Sequence, residues 1–241
     1  MDMRQKTKWG MVWNVIEKIA VQFISFILNI FLARLLTPED YGTIGLITIF
    51  LTFSNVFVDS GFSRALIQKQ DKQEEDYSTV LIFNIFVSAF LYILLFFSSP
   101  FIAKLYKTPQ LITLQRVFFI LIIFNSLTVV QSAKLQAKVD FKTIAIISSI
   151  TSLISGLIGI IAAYKGLGPW ALVLQSLTRT FLVVVLYWVN GKWFPKTGFS
   201  WESFKKLFGF GSKLLVSGLL ATTLTNIENL FIGKIYNSES L

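Results

Sequence analysis

One charged side chain lies in the middle of a long apolar stretch of this sequence. Within residues 166–191 the sole charge is Arg179, 13 residues from one end and 12 from the other. A charge at the centre of a bilayer costs roughly 2.5–3.5 kcal/mol on insertion scales, so something must compensate it. Arg179 therefore either pairs with a buried carboxylate, Glu17 or Asp59, or is the cationic group of a water-filled cavity that receives an anionic ligand. Gln175, one turn away, is compatible with both interpretations.

Two rows of polar side chains elsewhere in the chain recur at helical spacing. Steps of three and four residues place all members of a row on one face of a helix. An unpaired polar group in hydrocarbon costs several kcal/mol, so both faces must turn towards a bundle interior or a wet cavity. The first polar row consists of Asn14, Lys18, Gln22, Ser25 and Asn29. The second polar row consists of Gly45, Thr48, Thr52, Asn55 and Asp59.

The composition excludes several kinds of chemical site. The sequence contains no cysteine and no histidine, which removes disulfides, thiolate metal sites and the commonest metal ligand and proton carrier. Any proton coupling must therefore use carboxylates. The acidic run at 71–76 is either a metal site of a sugar transferase or a solvated loop whose acids stabilise the start of the next helix.

The elements that carry these residues are long apolar segments. With 54% hydrophobic and 15% charged residues, the chain is too apolar for an ordinary soluble domain. About 20 apolar residues in a helix are enough to cross the hydrocarbon core of a membrane. We predict an all-α, polytopic transmembrane bundle with seven spans. The spans lie near residues 11–33, 41–58, 77–103, 117–133, 143–164, 166–191 and 208–232.

The net charge of +9 has a topological explanation. The basic residues stand in short loops between apolar segments and not along one soluble surface, so we expect no nucleic-acid partner. If the N-terminus is cytoplasmic, 14 of the 22 basic residues fall on the cytoplasmic side. The positive-inside rule therefore predicts a cytoplasmic N-terminus.

Capping and small residues predict how the spans are joined and packed. Thr37 can cap a helix that begins at Pro38, which makes spans one and two a tight hairpin. Asp140 can begin the fifth span in the same way. The turn 164–170 contains two glycines that allow tight geometry. Five small residues within 148–159 form a face on which another helix can pack closely.

A shift of 200 residues aligns the end of the chain with its beginning. Residues 231–239 then fall on residues 31–39. The second copy begins six spans after the first, and an even number of spans gives both copies the same direction across the membrane. This is typical of parallel repeats about an axis along the membrane normal. We therefore predict a six-helix lobe over residues 1–206 and the first helix of a second, truncated lobe over 207–241.

Five short segments, spread in order over most of the chain, together carry a family resemblance. They are Trp9-Gly10; 32–42, LARLLTPEDYG; 59–68, DSGFSRALIQ; 166–175, GLGPWALVLQ; and 226–234, NIENLFIGK. In these segments the sequence resembles the polysaccharide flippases of the multidrug/oligosaccharidyl-lipid/polysaccharide superfamily. Members of that family have two such lobes, so the resemblance implies that this sequence is the N-terminal half of a transporter.

The resemblance also implies a function. Such a protein lies in the bacterial cytoplasmic membrane and moves undecaprenyl-pyrophosphate-linked oligosaccharides to the outer leaflet for O-antigen, capsule or exopolysaccharide assembly. The expected partners are the lipid-linked oligosaccharide, membrane lipids, a driving ion (proton or sodium) and polysaccharide polymerases. We expect no cofactor, no metal and no enzymatic activity.

Candidate site residues follow from the polar rows together with this resemblance. Arg179 and Lys18 would bind the phosphates, because a lipid pyrophosphate needs cations and the guanidinium fork suits it. Glu17 or Asp59 would neutralise Arg179 in the empty state or take part in ion coupling. The side chains expected to contact the rest of the substrate are Gln22, Asn29, Asn55 and Gln175.

Three other functions stay open at this point. A drug or cation antiporter of the same superfamily would need an acidic centre, whereas the deepest charge here is Arg179. A lipid II flippase has the same broad fold, although the five segments look more like the polysaccharide branch. A membrane-bound sugar transferase would use the acidic run at 71–76.

Overall fold

The chain folds into nine α-helices, without a strand, over the residues that the computed structural model describes. These are residues 3–59, 61–69 and 71–235, with side chains described except at 3–8, 11 and 226–235. The all-α bundle predicted from the sequence is confirmed. The helices are α1 Met3–Leu35, α2 Pro38–Asp59, α3 Phe62–Gln68, α4 Glu74–Leu105, α5 Leu111–Phe118, α6 Ile120–Ala137, α7 Phe141–Tyr164, α8 Pro169–Gly191 and α9 Trp201–Ile235.

Seven helical segments in the described part of the chain are long and apolar enough to cross a membrane, as predicted. The second, Pro38–Gln68, is longer than expected, because α3 follows α2 after a short break. The fourth, Leu111–Ala137, also begins earlier than expected and contains a break at Phe119 between α5 and α6.

Arg116 stands just before the predicted fourth span at 117–133, and the structure corrects this boundary. It lies in α5, where its Nε donates to Ser99 Oγ at 3.2 Å and its guanidinium lies 4.3 Å from the centre of the Phe96 ring. A hydroxyl and an aromatic face can hold a guanidinium within a helical bundle. The sequence did not reveal this because both partners belong to a different helix, α4.

The predicted helix starts are confirmed at the residue level. Thr37 and Asp40 cap α2 reciprocally: the Asp40 amide donates to Thr37 Oγ1 at 3.2 Å, and the Thr37 amide donates to Asp40 Oδ2 at 2.9 Å. Asp140 caps α7, since its Oδ1 accepts from the Thr143 amide at 3.2 Å. Gly168, with φ of 54°, leads into Pro169 at the start of α8.

Helix α7 packs between α1 and α8, and its small residues make this close packing possible. A Cβ added at Gly156 would collide with the side chain of Leu28 on α1. A Cβ added at Gly159 would lie 3.1 Å from Cβ of Gln175 on α8. The packing face predicted on this span is thus confirmed. The tight hairpin of spans one and two is not, because α1 packs along α7 and diverges from α2.

Helix α6 lies at the centre of the bundle and contacts α2, α4 and α8 along its length. Helix α9 packs across α2, α3 and α4. The outer faces of α1 and α4 carry large exposed apolar side chains, among them Phe23, Phe26, Phe86 and Phe97. In a membrane, such faces are the ones that lipid covers.

Residues 192–200 connect α8 to α9, and Trp193 holds this connection against the bundle. Trp193 is buried; its indole N–H donates to Glu74 Oε2 at 2.5 Å, and its carbonyl accepts from Gln131 Nε2 at 3.0 Å. Helix α9 then runs without interruption past residue 206, where a lobe boundary was predicted. The division into lobes stays a prediction, and the aligned repeat at 231–239 lies outside the residues with described side chains.

Candidate functional site

A cleft opens between α2, α6 and α8, halfway along these helices. We call it the central cleft; its volume is about 390 Å³. Cavities of roughly 300–1,000 Å³ are typical of small-ligand sites. Aliphatic and phenylalanine side chains form part of its wall. Its polar lining consists of Thr48, Asn125, Thr128, Ser176, Arg179 and Thr180.

Arg179 lines this cleft from the middle of α8 and is exposed there. None of the described carboxylates lies within 4.0 Å of it. Pairing with Glu17 or Asp59 was one of the two interpretations of the sequence, and the structure contradicts it. Glu17 instead accepts a hydrogen bond from Ser148 Oγ of α7 at 3.0 Å, and Asp59 lies in a different pocket. Arg179 therefore presents a positive charge to an open, hydroxyl-rich cavity.

The second polar row continues from the central cleft into another pocket. Thr48 lines the central cleft, whereas Thr52, Asn55 and Asp59 line a pocket of about 340 Å³ between α2, α3 and α9. We call this the α2–α9 pocket. The predicted polar face of this span is confirmed as a cavity-lining face. This face lines two separate cavities, and the spacing of polar residues in the sequence does not show whether there is one cavity or two.

A hydrogen bond between two asparagines lies where these cavities adjoin. Asn125 Nδ2 of α6 donates to Asn55 Oδ1 of α2 at 2.9 Å. Asn125 lines the central cleft and Asn55 lines the α2–α9 pocket. The pair therefore forms part of the wall between them, and its amide groups are half-buried. Each asparagine retains donors and acceptors beyond this bond.

Asp59 lies at the end of α2, beside the turn into α3. Its Oδ1 accepts from the Ser63 amide at 3.3 Å, and Arg64 lines the same pocket. Gly61 forms the turn with φ of 70°, and a Cβ there would lie 2.7 Å from the carbonyl oxygen of Gly211. Only glycine allows this close approach of the turn to α9. The turn thereby closes the α2–α9 pocket at one end.

The first polar row has a different environment. Lys18, Gln22 and Asn29 are exposed on α1, on a different side of the helix from Glu17 and Leu28, which contact α7. The central cleft is lined from α2, α5, α6 and α8, so Lys18 and Arg179 do not share it. The shared cationic site inferred from the sequence is therefore not assembled within the described residues.

Gln175 was also expected at the substrate site. Its side chain packs on α7 at Gly159, with Cγ and Cδ both 3.3 Å from the position of an added Cβ. The neighbouring Ser176 lines the cleft instead. Gln175 and Ser176 precede Arg179 by four and three residues, which places them about 40° to one side and about 60° to the other side of it around the helix. Being one turn from Arg179 therefore did not determine which of the two faces the cleft.

Two carboxylates of the acidic run at 71–76, those of Glu74 and Asp76, are engaged with neighbouring groups. Asp76 is fully buried and binds Lys69, with Nζ 2.6 Å from Oδ2. Glu74 accepts from Trp193 and lies 3.9 Å from Lys134 Nζ. Within the described ranges no group of three acidic residues could hold a metal ion. The three acids at 74–76 form the first turn of α4, which confirms the helix-start interpretation of the run.

Several cleft residues were absent from the predicted set. These are Thr48, Asn125, Thr128, Ser176 and Thr180. Thr48 belongs to the second polar row, and the others are polar residues within apolar spans, so a weak signal existed. Each is too common in transmembrane helices to be selected alone, because serine and threonine hydroxyls satisfy themselves on the helix backbone. Thr128 does so here, donating to the Asn125 carbonyl at 2.8 Å.

Comparison with known proteins places this arrangement in a family. A family model described as "Polysaccharide biosynthesis protein" matches residues 31–241. No solved structure matches the chain.

Curated relatives match nearly the whole chain but only part of their own length. The teichuronic acid biosynthesis protein TuaB of Bacillus subtilis is 29% identical over 96% of this chain and 48% of that protein. An uncharacterized membrane protein in the cps region of Klebsiella pneumoniae is 25% identical, with 95% and 46% covered. The succinoglycan biosynthesis transport protein ExoT of Rhizobium meliloti is 24% identical, with 83% and 41% covered.

The chain spans about half the length of the curated relatives it matches. The names of two relatives refer to polysaccharide biosynthesis, and one of these also refers to transport. The fold is a multi-pass helical bundle that contains a polar cleft. Because the family model matches the chain from residue 31 to its last residue, the chain belongs to the polysaccharide biosynthesis protein family.

Proposed function

We propose that this chain is the N-terminal part of a transporter that moves a polyprenyl-pyrophosphate-linked oligosaccharide across the bacterial cytoplasmic membrane. The observation that carries the proposal is Arg179 in the central cleft, with no described carboxylate within 4.0 Å. Keeping a charge at this depth costs roughly 2.5–3.5 kcal/mol. A ligand that supplies the opposite charge offsets that cost and explains why the charge is useful there.

A pyrophosphate fits the chemistry of Arg179. The guanidinium can donate two parallel hydrogen bonds to a phosphate, and it stays charged at any physiological pH. In a cavity of low dielectric constant such charge-assisted bonds are stronger than in water. Arg179 would therefore hold the phosphates at mid-membrane depth, between the two leaflets that the substrate must connect.

The remaining polar groups of the cleft suit a carbohydrate. Hydroxyl and amide side chains both donate and accept hydrogen bonds, as sugar hydroxyls do. Three helices supply them: Thr48 from α2, Asn125 from α6 and Ser176 from α8. At about 390 Å³, the cleft accommodates the pyrophosphate and the first sugars of a chain. Since the curated relatives are about twice as long, we infer that further residues complete the cavity.

The polyprenyl tail requires an apolar route outside the cleft. The exposed apolar faces of α1 and α4, with Phe23 and Phe86 among their side chains, would remain in contact with lipid. The tail can then stay in the bilayer while the polar headgroup crosses within the protein. The cytoplasmic orientation of the N-terminus, predicted from the basic loops, sets the direction of this movement.

Asp59 is the proposed coupling residue. It is the carboxylate that lines the α2–α9 pocket, and it lies two turns of α2 from the central cleft. Because histidine is absent from the sequence, a proton would have to bind such a carboxylate, and a sodium ion would also find its oxygen ligands there. Lys18, Gln22 and Asn29 would belong to a face that the remaining residues of the transporter cover, outside the substrate cleft.

Substitution of Arg179 tests the proposal. We expect Arg179→Ala to weaken binding of polyprenyl pyrophosphate by about 10- to 100-fold, because hydrogen bonds to charged groups contribute roughly 1.5–3 kcal/mol. The affinity of Arg179→Lys should lie between those of the unchanged protein and Arg179→Ala, since lysine keeps the charge but lacks the two-donor guanidinium fork. Binding is measured by intrinsic tryptophan fluorescence of the purified chain, and export by the amount of surface polysaccharide in the cell.

Arg34→Gln is the matched control, because Arg34 is an exposed arginine at the end of α1, outside the cleft. Its binding and export should equal those of the unchanged protein. Undiminished export by Arg179→Ala, at equal amounts of protein in the membrane, would refute the role of Arg179 and with it the proposed substrate chemistry.

A further inference from the structure

A separate groove lies where α3 crosses α9, and we call it the α3–α9 groove. Its volume is about 250 Å³. It shares no lining residue with the central cleft or with the α2–α9 pocket. An inference about this groove therefore does not depend on the proposed transport function. The lining residues are Ala65, Gln68, Lys69, Lys206, Leu207 and Phe210.

The groove has an apolar part and a cationic part. Ala65 and Leu207 are buried and form its floor, and the ring of Phe210 is 41% exposed beside them. The ammonium groups of Lys69 and Lys206 belong to the same lining. An apolar floor next to two cations matches the two parts of a lipid, an acyl chain and a negatively charged headgroup.

The position of the groove along the bundle fits the headgroup layer of a membrane. One candidate span ends in the groove, at Gln68, and the span Trp201–Thr225 begins five residues before Lys206. Exposed aromatic side chains shortly precede Lys206 in the chain, at Phe199 and Trp201. Tryptophan and basic residues are enriched at the boundary between hydrocarbon and water. A lipid bound here would have its phosphate at the depth of the surrounding headgroups.

The two lysines retain the capacity to bind a phosphate. Lys206 pairs with Glu202 one turn earlier, at 2.7 Å, but the Glu202 side chain is 78% exposed. An exposed ion pair of this kind is weak, so a phosphate can replace the carboxylate. Lys69 is held by the fully buried Asp76 and stays in position. An ammonium group has three donors, and Asp76 accepts from one of them.

The surrounding charge favours a headgroup with a net negative charge. The segment 192–213, which covers the connection and the start of α9, contains five lysines and one carboxylate. We propose that the α3–α9 groove binds an anionic phospholipid. Its phosphate contacts Lys206 and Lys69, and the first carbons of one acyl chain lie on Leu207 and Phe210.

Lipid retention by the purified chain tests this site. The chain is reconstituted in turn with phosphatidylglycerol, phosphatidylethanolamine and phosphatidylcholine, and the lipids that remain bound are counted by native mass spectrometry. We expect preferential retention of phosphatidylglycerol. Lys206→Gln should weaken that retention about ten-fold, since a hydrogen bond from a charged group to the phosphate contributes roughly 1.5 kcal/mol. Phe210→Ala should also weaken it, without any change of charge.

Lys205→Gln is the matched control, because it removes the same charge from an adjacent exposed residue outside the groove lining. Its effect should stay below about two-fold, within the scatter typical of a surface substitution. Equal losses in Lys205→Gln and Lys206→Gln would indicate a diffuse basic surface and overturn the site. Equal retention of the three lipids, or displacement of phosphatidylglycerol by millimolar inorganic phosphate alone, would overturn the anionic-lipid assignment.

Discussion

Helices α1 and α2 both carry a row of polar residues, and the structure gives the two rows different surroundings. The second polar row, on α2, lines the central cleft and the α2–α9 pocket. The first polar row, on α1, holds the exposed Lys18, Gln22 and Asn29, and α1 packs mainly on α7. The comparison teaches that a polar row identifies a face that must avoid lipid, whereas the neighbouring helices decide what that face meets.

The physical reason lies in the residues opposite each helix. Gly156 on α7 lets α1 approach closely through Leu28, and α1 packs on α7 and not on α2. Helix α2 instead contacts α6, α8 and α9, and polar side chains of α6 and α8 line the central cleft together with Thr48. Substitutions in and around these two helices test this difference.

The largest effect is expected at the contact that holds α1 on α7. In Gly156→Ala the added Cβ would collide with Leu28, which is itself buried, so the helices must separate. We expect a loss of about 1–3 kcal/mol in the free energy of unfolding, as for other overpacked sites. The measurement is the unfolding transition of the purified chain in detergent.

Gly45→Ala on α2 is the control for that experiment. Nothing lies within 4 Å of a Cβ added there, so the change should leave the protein equally stable or stabilise it by about 0.5–1 kcal/mol. If both alanine variants destabilised the chain equally, helix α1 would not be held at Gly156 and the contrast would lose its structural basis.

The next effect concerns transport. Thr48→Leu combined with Asn55→Leu removes two hydrogen-bonding groups from the second polar row, at roughly 0.5–1.5 kcal/mol each, so export should fall by about ten-fold or more. Gln22→Leu combined with Asn29→Leu removes two from the first row, outside the cleft lining, and should change export by less than about two-fold. Surface polysaccharide is measured at equal amounts of membrane protein. A larger loss from the α1 pair would reverse the roles of the two rows.

The smallest effect is expected at the pair between the two cavities. A double-mutant cycle on Asn55→Ala and Asn125→Ala should give a coupling energy of about 0.6 kcal/mol, which is the average for polar pairs between transmembrane helices. The free energy of unfolding of the four proteins provides the measurement. A coupling energy of zero would mean that the 2.9 Å hydrogen bond does not help to hold α2 on α6.

Much of the fold followed from local features of the sequence. The seven spans were predicted, and so were the starts of α2 at Pro38 and of α7 after Asp140. The second span was predicted to end at residue 58, close to the end of α2 at Asp59, but α3 beyond it was not predicted. The break at Phe119 was not predicted either, because it lies inside an apolar run whose composition does not change. The fourth span was predicted to begin at residue 117, just after the charged Arg116, although Ser99 and Phe96 hold this side chain within the bundle.

The candidate site was predicted in part. Arg179 and Asn55 line cavities, and Asp59 does too, whereas Glu17 and Gln175 face α7. Helical spacing places residues on one face, but residues three or four apart still lie about 60° or 40° apart around the helix. A small error in the assumed direction of the interior therefore moves a side chain from a cavity to a helix contact.

By itself, the sequence determined that this chain is a membrane bundle of seven spans, that its helices begin at specific caps, and that Arg179 lies at mid-membrane depth. These are properties of consecutive residues, because apolar length and capping are local. Only the tertiary structure decided that the second polar row and Arg179 line cavities, while Glu17 binds Ser148, 131 residues away. Which helices become neighbours depends on the packing of residues far apart in the chain. The spacing of polar residues in one helix does not indicate which other helix they will face.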